Sequence, residues 1–182
     1  LKLELSPEKT LITNAKTEAA SFLGYEIQVQ YSDSKHTKGR RLLNGIIGLR
    51  IPATVVEEKC ALYKRNGKPI HRPELINDDD FTIINLYQSE YRGFVQFYSL
   101  AQNIAWLERV RWIMWSSLMK TLACKYKTSV AKICEKYHKT VKLPHGLRKC
   151  VEITISREGK IAILQYHPLD AKSGHSFDSQ HL

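Results

Sequence analysis

The period at which apolar residues recur changes along this chain, and the changes divide it into segments. Leu1, Leu3 and Leu5 alternate with Lys2 and Glu4, a strand pattern that Ser6-Pro7 breaks. Thr10 to Thr13 can start another strand, and Ala20 to Val29 reads as a further one, with Gly24 at its centre allowing close backbone approach. So few strands cannot make a stable sheet alone, so partners are expected from residues upstream. The chain opens without Met, inside an alternation already under way, and reads as a piece of a longer protein. Residues 32–50 turn polar and then basic, with Lys35, His36, Lys38, Arg40 and Arg41 around Gly39. They read as a flexible connector, and either a solvated linker or a loop gripping phosphates fits them.

From Pro52 the period becomes helical. Pro52 suits a first helical position, and the helix is expected to run to Gly67 with Lys64 and Arg65 in its last turn. Lys68 to Pro73 holds two prolines and should be extended. A second helix follows, with Asn77 as N-cap and Asp78, Asp79 and Asp80 in its first turn. Its apolar stripe is Phe81, Ile84, Tyr87, Tyr91, Phe94 and Tyr98, and Gly93 is expected to kink or divide it. A third stripe, Ile104, Leu107, Val110, Met114, Trp115, Leu118 and Leu122, lies opposite Arg109, Lys120 and Lys127. Thr128 or Ser129 reads as an internal cap, giving one helix near 104–126 and a shorter one near 129–139. Pro144-His145-Gly146 ends the helical part. Arg148 to Ser156 and Lys160 to Tyr166 then read as a β-hairpin turning at Arg157-Glu158-Gly159, before a polar tail expected to be disordered. The fold class is α+β, mainly helical.

Charge sharpens this outline. The formal net charge is +10, and residues 104–142 carry nine basic residues against two acids, seven of those ten charges. Lys125, Lys132 and Lys136 join Arg109, Lys120 and Lys127 there, interleaved with Trp106, Trp112, Trp115, Tyr126 and Tyr137. A helix that is apolar inside and cationic outside suits a polyanion, and aromatics among cations suit unpaired bases. Lysine-rich solvent faces are also ordinary on helices. There is no run of eighteen apolar residues and no leader-like start, so neither a membrane span nor a signal peptide is expected. Four cysteines without a C-x-x-C pair fit a reducing, intracellular setting. A zinc site from Cys134, His138, His145 and Cys150 matches no usual finger spacing.

Three adjacent carboxylates invite a magnesium-dependent nucleotidyl transferase built on Asp78 to Asp80, but acids at the head of an apolar helix are what capping predicts. A DNA-binding helix-turn-helix over residues 120–138 is the other alternative. It needs a glycine-like tight turn, which Lys127-Thr128-Ser129 matches poorly. No phosphate-binding loop, dinucleotide fingerprint or nucleophile elbow occurs. The visible chemistry is binding.

Leu3 to Thr10, followed by Phe22-Leu23-Gly24-Tyr25, resembles the last blocks of the palm in group II intron reverse transcriptases. Pro73 to Ile76, Tyr91 to Tyr98, Ala101-Gln102-Asn103, and Ser117 to Ser129 are similar to the maturase, or X, domain of the same proteins, in the same order. The resemblance implies the end of a palm over 1–31, a basic linker over 32–50 and a helical thumb/maturase domain over 51–142. A β-hairpin beginning a DNA-binding region over 143–167 and a tail over 168–182 would complete it. It implies group II intron RNA and a template–primer duplex as partners, with Arg92 and the lysines of the long helix as candidates for RNA contact or for fixing the thumb. Together with the basic loop and the cationic segment, the expected RNA-binding residues are Arg40, Arg41, Arg92, Arg109, Lys120, Lys125, Lys127, Lys132 and Lys136. Phe22, Leu23 and Gly24 would lie near the primer-gripping edge. The aromatic-x-Asp-Asp motif that carries polymerase metals is absent from this sequence, as is a C-terminal endonuclease with its cysteine pairs. Mg2+ is therefore expected for the full polymerase and no cofactor for these residues. The setting implied is a bacterial cytoplasm or an organelle.

Overall fold

The computed structural model describes residues 12, 14, 16–30, 36–37, 40–41, 45–143, 146–157 and 160–166. For 36–37, 40–41 and everything beyond 137 the description is of the backbone. The strands read at Leu1 to Leu5 and at Thr10 to Thr13, the hairpin tip at Glu158-Gly159 and the polar tail lie outside these residues, Ile12 excepted. The chain forms two compact units, residues 1–52 with 100–103, and residues 53–99 with 104–182.

In the first unit, β1 (Ala20–Phe22), β2 (Tyr25–Gln30) and β5 (Ile46–Arg50) make an antiparallel sheet in the order β1-β2-β5. The single strand expected over 20–29 is a two-stranded hairpin. Phe22 pairs with Tyr25, and both residues between them, Leu23 (φ 48°) and Gly24 (φ 80°), take positive φ. Positive φ at both central positions is the hairpin turn whose twist matches the flanking strands. Leu23 disguises it, because a branched apolar residue is an unfavourable occupant of that conformation. Gly24 thus serves a turn and not a close approach. The expected linker also contributes structure: β3 (His36–Thr37) pairs with β4 (Arg40–Arg41), and β5 pairs with β2 from Glu26–Arg50 to Gln30–Ile46. The Ala101-Gln102-Asn103 motif fastens onto β5 and its end. The Gln102 N–H donates to the Leu49 carbonyl (2.9 Å). The Asn103 side chain accepts from the Ile51 N–H (2.8 Å) and donates to the Ile51 carbonyl (3.0 Å). A Cβ on Gly48 would displace the amide ends of the Gln102 and Gln30 side chains, which lie against this glycine.

The second unit starts with α1 (Ala53–Ala61), which ends well before Gly67. Lys64–Arg65 and Lys68–Pro69 are instead strands β6 and β7 of a tight hairpin, with Asn66 (φ 51°) and Gly67 (φ 75°) at its turn. Asn-Gly is the strongest short hairpin signal, and it overrides the helical periodicity around it. A 3-10 turn at Pro73–Leu75 leads into α2 (Asp80–Phe97). The cap is Asp79, two residues later than expected, its carboxylate accepting from the Thr82 N–H at 2.9 Å. Gly93 does not divide the helix, which runs unbroken through it; it is exposed, and a Cβ there would meet nothing within 4 Å.

After a 3-10 turn at Ile104–Trp106, α3 (Leu107–Lys125) is the axis of this unit. From Ile113 to Ala123 only Lys120 is fully exposed, so the helix is wrapped on most of its circumference and not on one face. Its buried polar residues, Ser117 and Thr121, face Tyr87 of α2 (2.8 and 3.1 Å). Ser117 spends its proton on the Ile70 carbonyl (2.6 Å) and Thr121 on the Ser117 carbonyl (2.9 Å), so the single Tyr87 proton is shared between them. Thr121 also accepts from the Arg72 N–H at 3.0 Å. Every hydroxyl in the cluster is satisfied, which is the condition for burying it. The network ties the hairpin-and-proline segment to two helices. Arg72 adds to it, bridging Glu74 (2.7 Å) and Glu90 (3.1 Å) and standing over the Tyr87 ring.

α3 closes with the Thr128 N–H donating to the Ala123 carbonyl (2.9 Å) and the Lys127 N–H to that of Cys124 (3.2 Å), Lys127 taking φ 49°. This is the glycine-like helix stop, made by a lysine. The glycine-like tight turn that Lys127-Thr128-Ser129 matches poorly in sequence is therefore present. Ser129 then caps α4 (Val130–Tyr137), its Oγ accepting from the Lys132 N–H at 3.4 Å. The expected C-terminal hairpin gains a strand: β8 (His138–Leu143), β9 (Gly146–Arg157) and β10 (Lys160–Tyr166) form a sheet in the order β10-β9-β8. The alternating HKTVKL stretch ends α4 at Tyr137, earlier than its helical spacing suggested. The α+β class holds, and no helix among the described residues is long and apolar enough to cross a membrane.

Candidate nucleic-acid interface

The wrapping of α3 leaves one line of it open. Arg109, Trp112, Ser116, Lys120 and Cys124 recur every three or four residues, and Lys127 follows at the helix stop. All are exposed except the half-buried Ser116. Arg109 to Cys124 spans about 22 Å at the helical rise. Trp112 is 59% exposed, unusual for a tryptophan on the central helix of a core. Lys120 Nζ donates to the Pro69 carbonyl (2.7 Å), which pins its stem without neutralising its charge. Exposed Lys132 and Lys136 continue the cations on α4. Lys136 Nζ lies over the Tyr126 and Tyr137 rings at 4.5 and 4.7 Å.

Lys125 differs. Its Nζ bonds Asp80 Oδ1 and the Asp78 carbonyl, both at 2.6 Å, and both side chains are mostly buried. Asp80 Oδ2 accepts from Tyr126 (2.5 Å) and Tyr137 (2.6 Å), so one carboxylate joins the start of α2 to the C-terminal ends of α3 and α4. Burial alone would raise the Asp80 pKa, but the bonds from Lys125, Tyr126 and Tyr137 outweigh it and hold the carboxyl below its ordinary value. The Tyr137 phenol is pushed up, first by burial and then by Asp80. Lys125 is thus committed inward, a correction to its reading as an outward cation. Nor does the acidic cluster fit a magnesium site. Asp79 caps, Asp80 is filled by three donors, and no group of three or more potential metal ligands converges among the described residues.

Of the remaining expected residues, Arg92 is exposed on α2 and Arg40 and Arg41 form β4, while Arg111, a further cation of α3, is paired to Glu108 (2.7 Å). Phe22 and Leu23 project at the tip of the first hairpin, 58% and 73% exposed. Of the zinc quartet, Cys134 is a free, half-buried thiol on α4, His138 lies on β8 and Cys150 on β9, and His145 lies outside the described residues.

A family model described as type II intron maturase matches residues 53–162. The chain belongs to that family. It is 39% identical over 143 residues to the group II intron-encoded protein LtrA of Lactococcus lactis subsp. cremoris, covering 72% of this chain and 24% of that protein. It is 32% identical over 144 residues to the putative COX1/OXI3 intron 1 protein of Saccharomyces cerevisiae, covering 70% of this chain and 17% of the relative. Maturase K of Chara globularis is 33% identical over 107 residues, 58% of this chain and 20% of that protein. The chain spans about a quarter or less of the length of these relatives. The match to the maturase family begins at the first residue of the helical unit and runs into β10. Two features of this maturase domain escaped the sequence reading, the Asp80 junction and the Tyr87 cluster. The only signal for either was a polar tip on residues otherwise placed by apolar spacing.

Proposed function

We propose that this maturase domain binds group II intron RNA and assists its splicing by holding RNA segments together, the RNA itself supplying the reacting groups. The observation that carries the reading is the open line along α3 and its stop, where Arg109, Lys120 and Lys127 flank an exposed tryptophan and the one other exposed charge of the helix, Glu108, is paired to Arg111. Phosphates neutralised along such a line release counterions, and the exposed Trp112 face offers a stacking surface. Family membership and the relatives' names support intron RNA as the polyanion. In the full-length protein the helical unit would form the thumb on a template–primer duplex. Phe22, Leu23 and Gly24 would stand at the primer edge, an assignment supported by the exposed, positive-φ Leu23. Polymerase chemistry with Mg2+ would belong to residues outside this chain, and a bacterial or organellar setting is the one we expect.

The α3–turn–α4 stop gives the helix-turn-helix alternative one favourable observation, the left-handed Lys127. Competition separates the two. A labelled, folded group II intron RNA bound to this chain should resist displacement by duplex DNA of equal length and yield to unlabelled intron RNA. Displacement by duplex DNA at equal or lower concentration would favour the DNA-binding reading and refute ours.

A further inference from the structure

Beside the head of the cationic line lies a groove of about 390 Å³, lined by Ala53, Val56, Glu57, Ala105, Trp106 and Arg109. We infer that it seats a single unpaired guanine base of the bound RNA, an inference that rests on the RNA-binding reading above. Its volume falls in the range of small-ligand pockets, about 300–1,000 Å³. Trp106 stands at the start of α3, in helical conformation and 41% exposed, and its indole is part of the groove's lining. Arg109 is one turn further on the same side, and Glu57 faces the groove from α1. Both charged side chains are exposed, and neither is in an ion pair or hydrogen bond among the described residues. A carboxylate and a guanidinium that share a groove without meeting leave room for a ligand that answers both.

The chemistry selects the base. A carboxylate only accepts hydrogen bonds and a guanidinium only donates them. Guanine presents two adjacent donors, N1–H and the N2 amine, on one edge, and two acceptors, O6 and N7, on another; O6 and N7 are a guanidinium's preferred base target. Adenine and cytosine offer a carboxylate only their single exocyclic amine, and uracil only one ring N–H. Stacking on Trp106 is open to any base, so discrimination falls to Glu57 and Arg109. Because Arg109 also opens the cationic line, a backbone following that line would deliver a base to the groove.

The test compares two fluorescently labelled single strands on the whole chain by anisotropy, an oligouridylate and the same strand with one central guanosine. The guanosine strand should bind about tenfold tighter, the lower part of the range for a bidentate base contact. Glu57→Gln, at an exposed position without hydrogen bonds, should bring the two affinities to within about twofold of each other. Lys120→Ala with Lys127→Ala should weaken both strands alike and keep their ratio. Equal affinities for the two strands in the unsubstituted chain, or a preference that survives Glu57→Gln, would overturn the guanine seat while leaving RNA binding intact. Failure of both strands to bind, with folded intron RNA still bound, would overturn the seat alone; failure to bind folded intron RNA as well would overturn the RNA reading and the seat with it.

Discussion

Replacing Asp80 by Ala tests whether this residue joins three helices or merely decorates the start of one. The substitution removes the partner of Lys125 and the acceptor for two phenols, leaving the ammonium with the Asp78 carbonyl alone. Breaking a buried pair from one side costs about 3–5 kcal/mol. The Lys125 and Asp80 side chains are 20% and 16% exposed, so water reaches them and the lower end, about 3 kcal/mol, applies. Asp79→Ala removes only a cap and should cost about 1 kcal/mol. Urea unfolding followed by circular dichroism measures both. The pH dependence supplies a second reading with a definite sign. Because the Asp80 carboxyl is depressed in the folded state, its contribution is present above the unfolded value, near pH 3.9, and is lost as pH falls through the lower folded value. The stability gap between the unsubstituted chain and Asp80→Asn should therefore be constant at neutral pH and close only in strong acid. Equal losses for Asp79→Ala and Asp80→Ala, or a gap that closes near pH 6, would refute the junction.

Other substitutions probe the remaining arguments. Tyr87→Phe removes one donor shared by Ser117 and Thr121, both of which keep other partners, so it should cost only about 1 kcal/mol in the same unfolding assay. Gly93→Ala should stabilise by up to about 1 kcal/mol, since the site is an exposed helix interior with open space for the methyl group; destabilisation there would point to a helix break at this position. Lys127→Gly should move two properties in opposite directions. It relieves a left-handed backbone, raising the melting temperature by the equivalent of about 1 kcal/mol, and it removes a cation, weakening RNA binding. A variant that binds RNA as tightly as the original would exclude Lys127 from the interface.

The helices were legible wherever apolar spacing and a stop signal agreed. The Ser129 cap lies between α3 and α4 as its side chain predicts, and the stripe of α2 is buried at Ile84, Tyr87, Tyr91 and Tyr98. Legibility failed at tight turns. Asn66-Gly67 was read as a helix end, although it is a hairpin signal, because Lys64 and Arg65 before it also suit a helix terminus. Leu23-Gly24 carried no warning, since leucine is disfavoured at positive φ and nothing local compensates for it. Charge was read correctly as concentrated and too simply as outward. Lys125 and Arg111 sit among the same cations as Lys120, yet carboxylates from elsewhere in the fold or one turn away hold them. Which cations remain open depends on where Asp80 and Glu108 fall, and only tertiary structure supplies the former.

The central claim is that the exposed line of α3 grips phosphates, and its most direct measurement is the salt dependence of intron-RNA affinity. Each lost phosphate contact should reduce the slope of log affinity against log salt by roughly 0.7 to 0.9. With Arg109, Lys120 and Lys127 all replaced by Ala, the slope should flatten by about two to three and affinity at low salt should fall. An unchanged slope and affinity in a triple variant that melts normally would contradict the account.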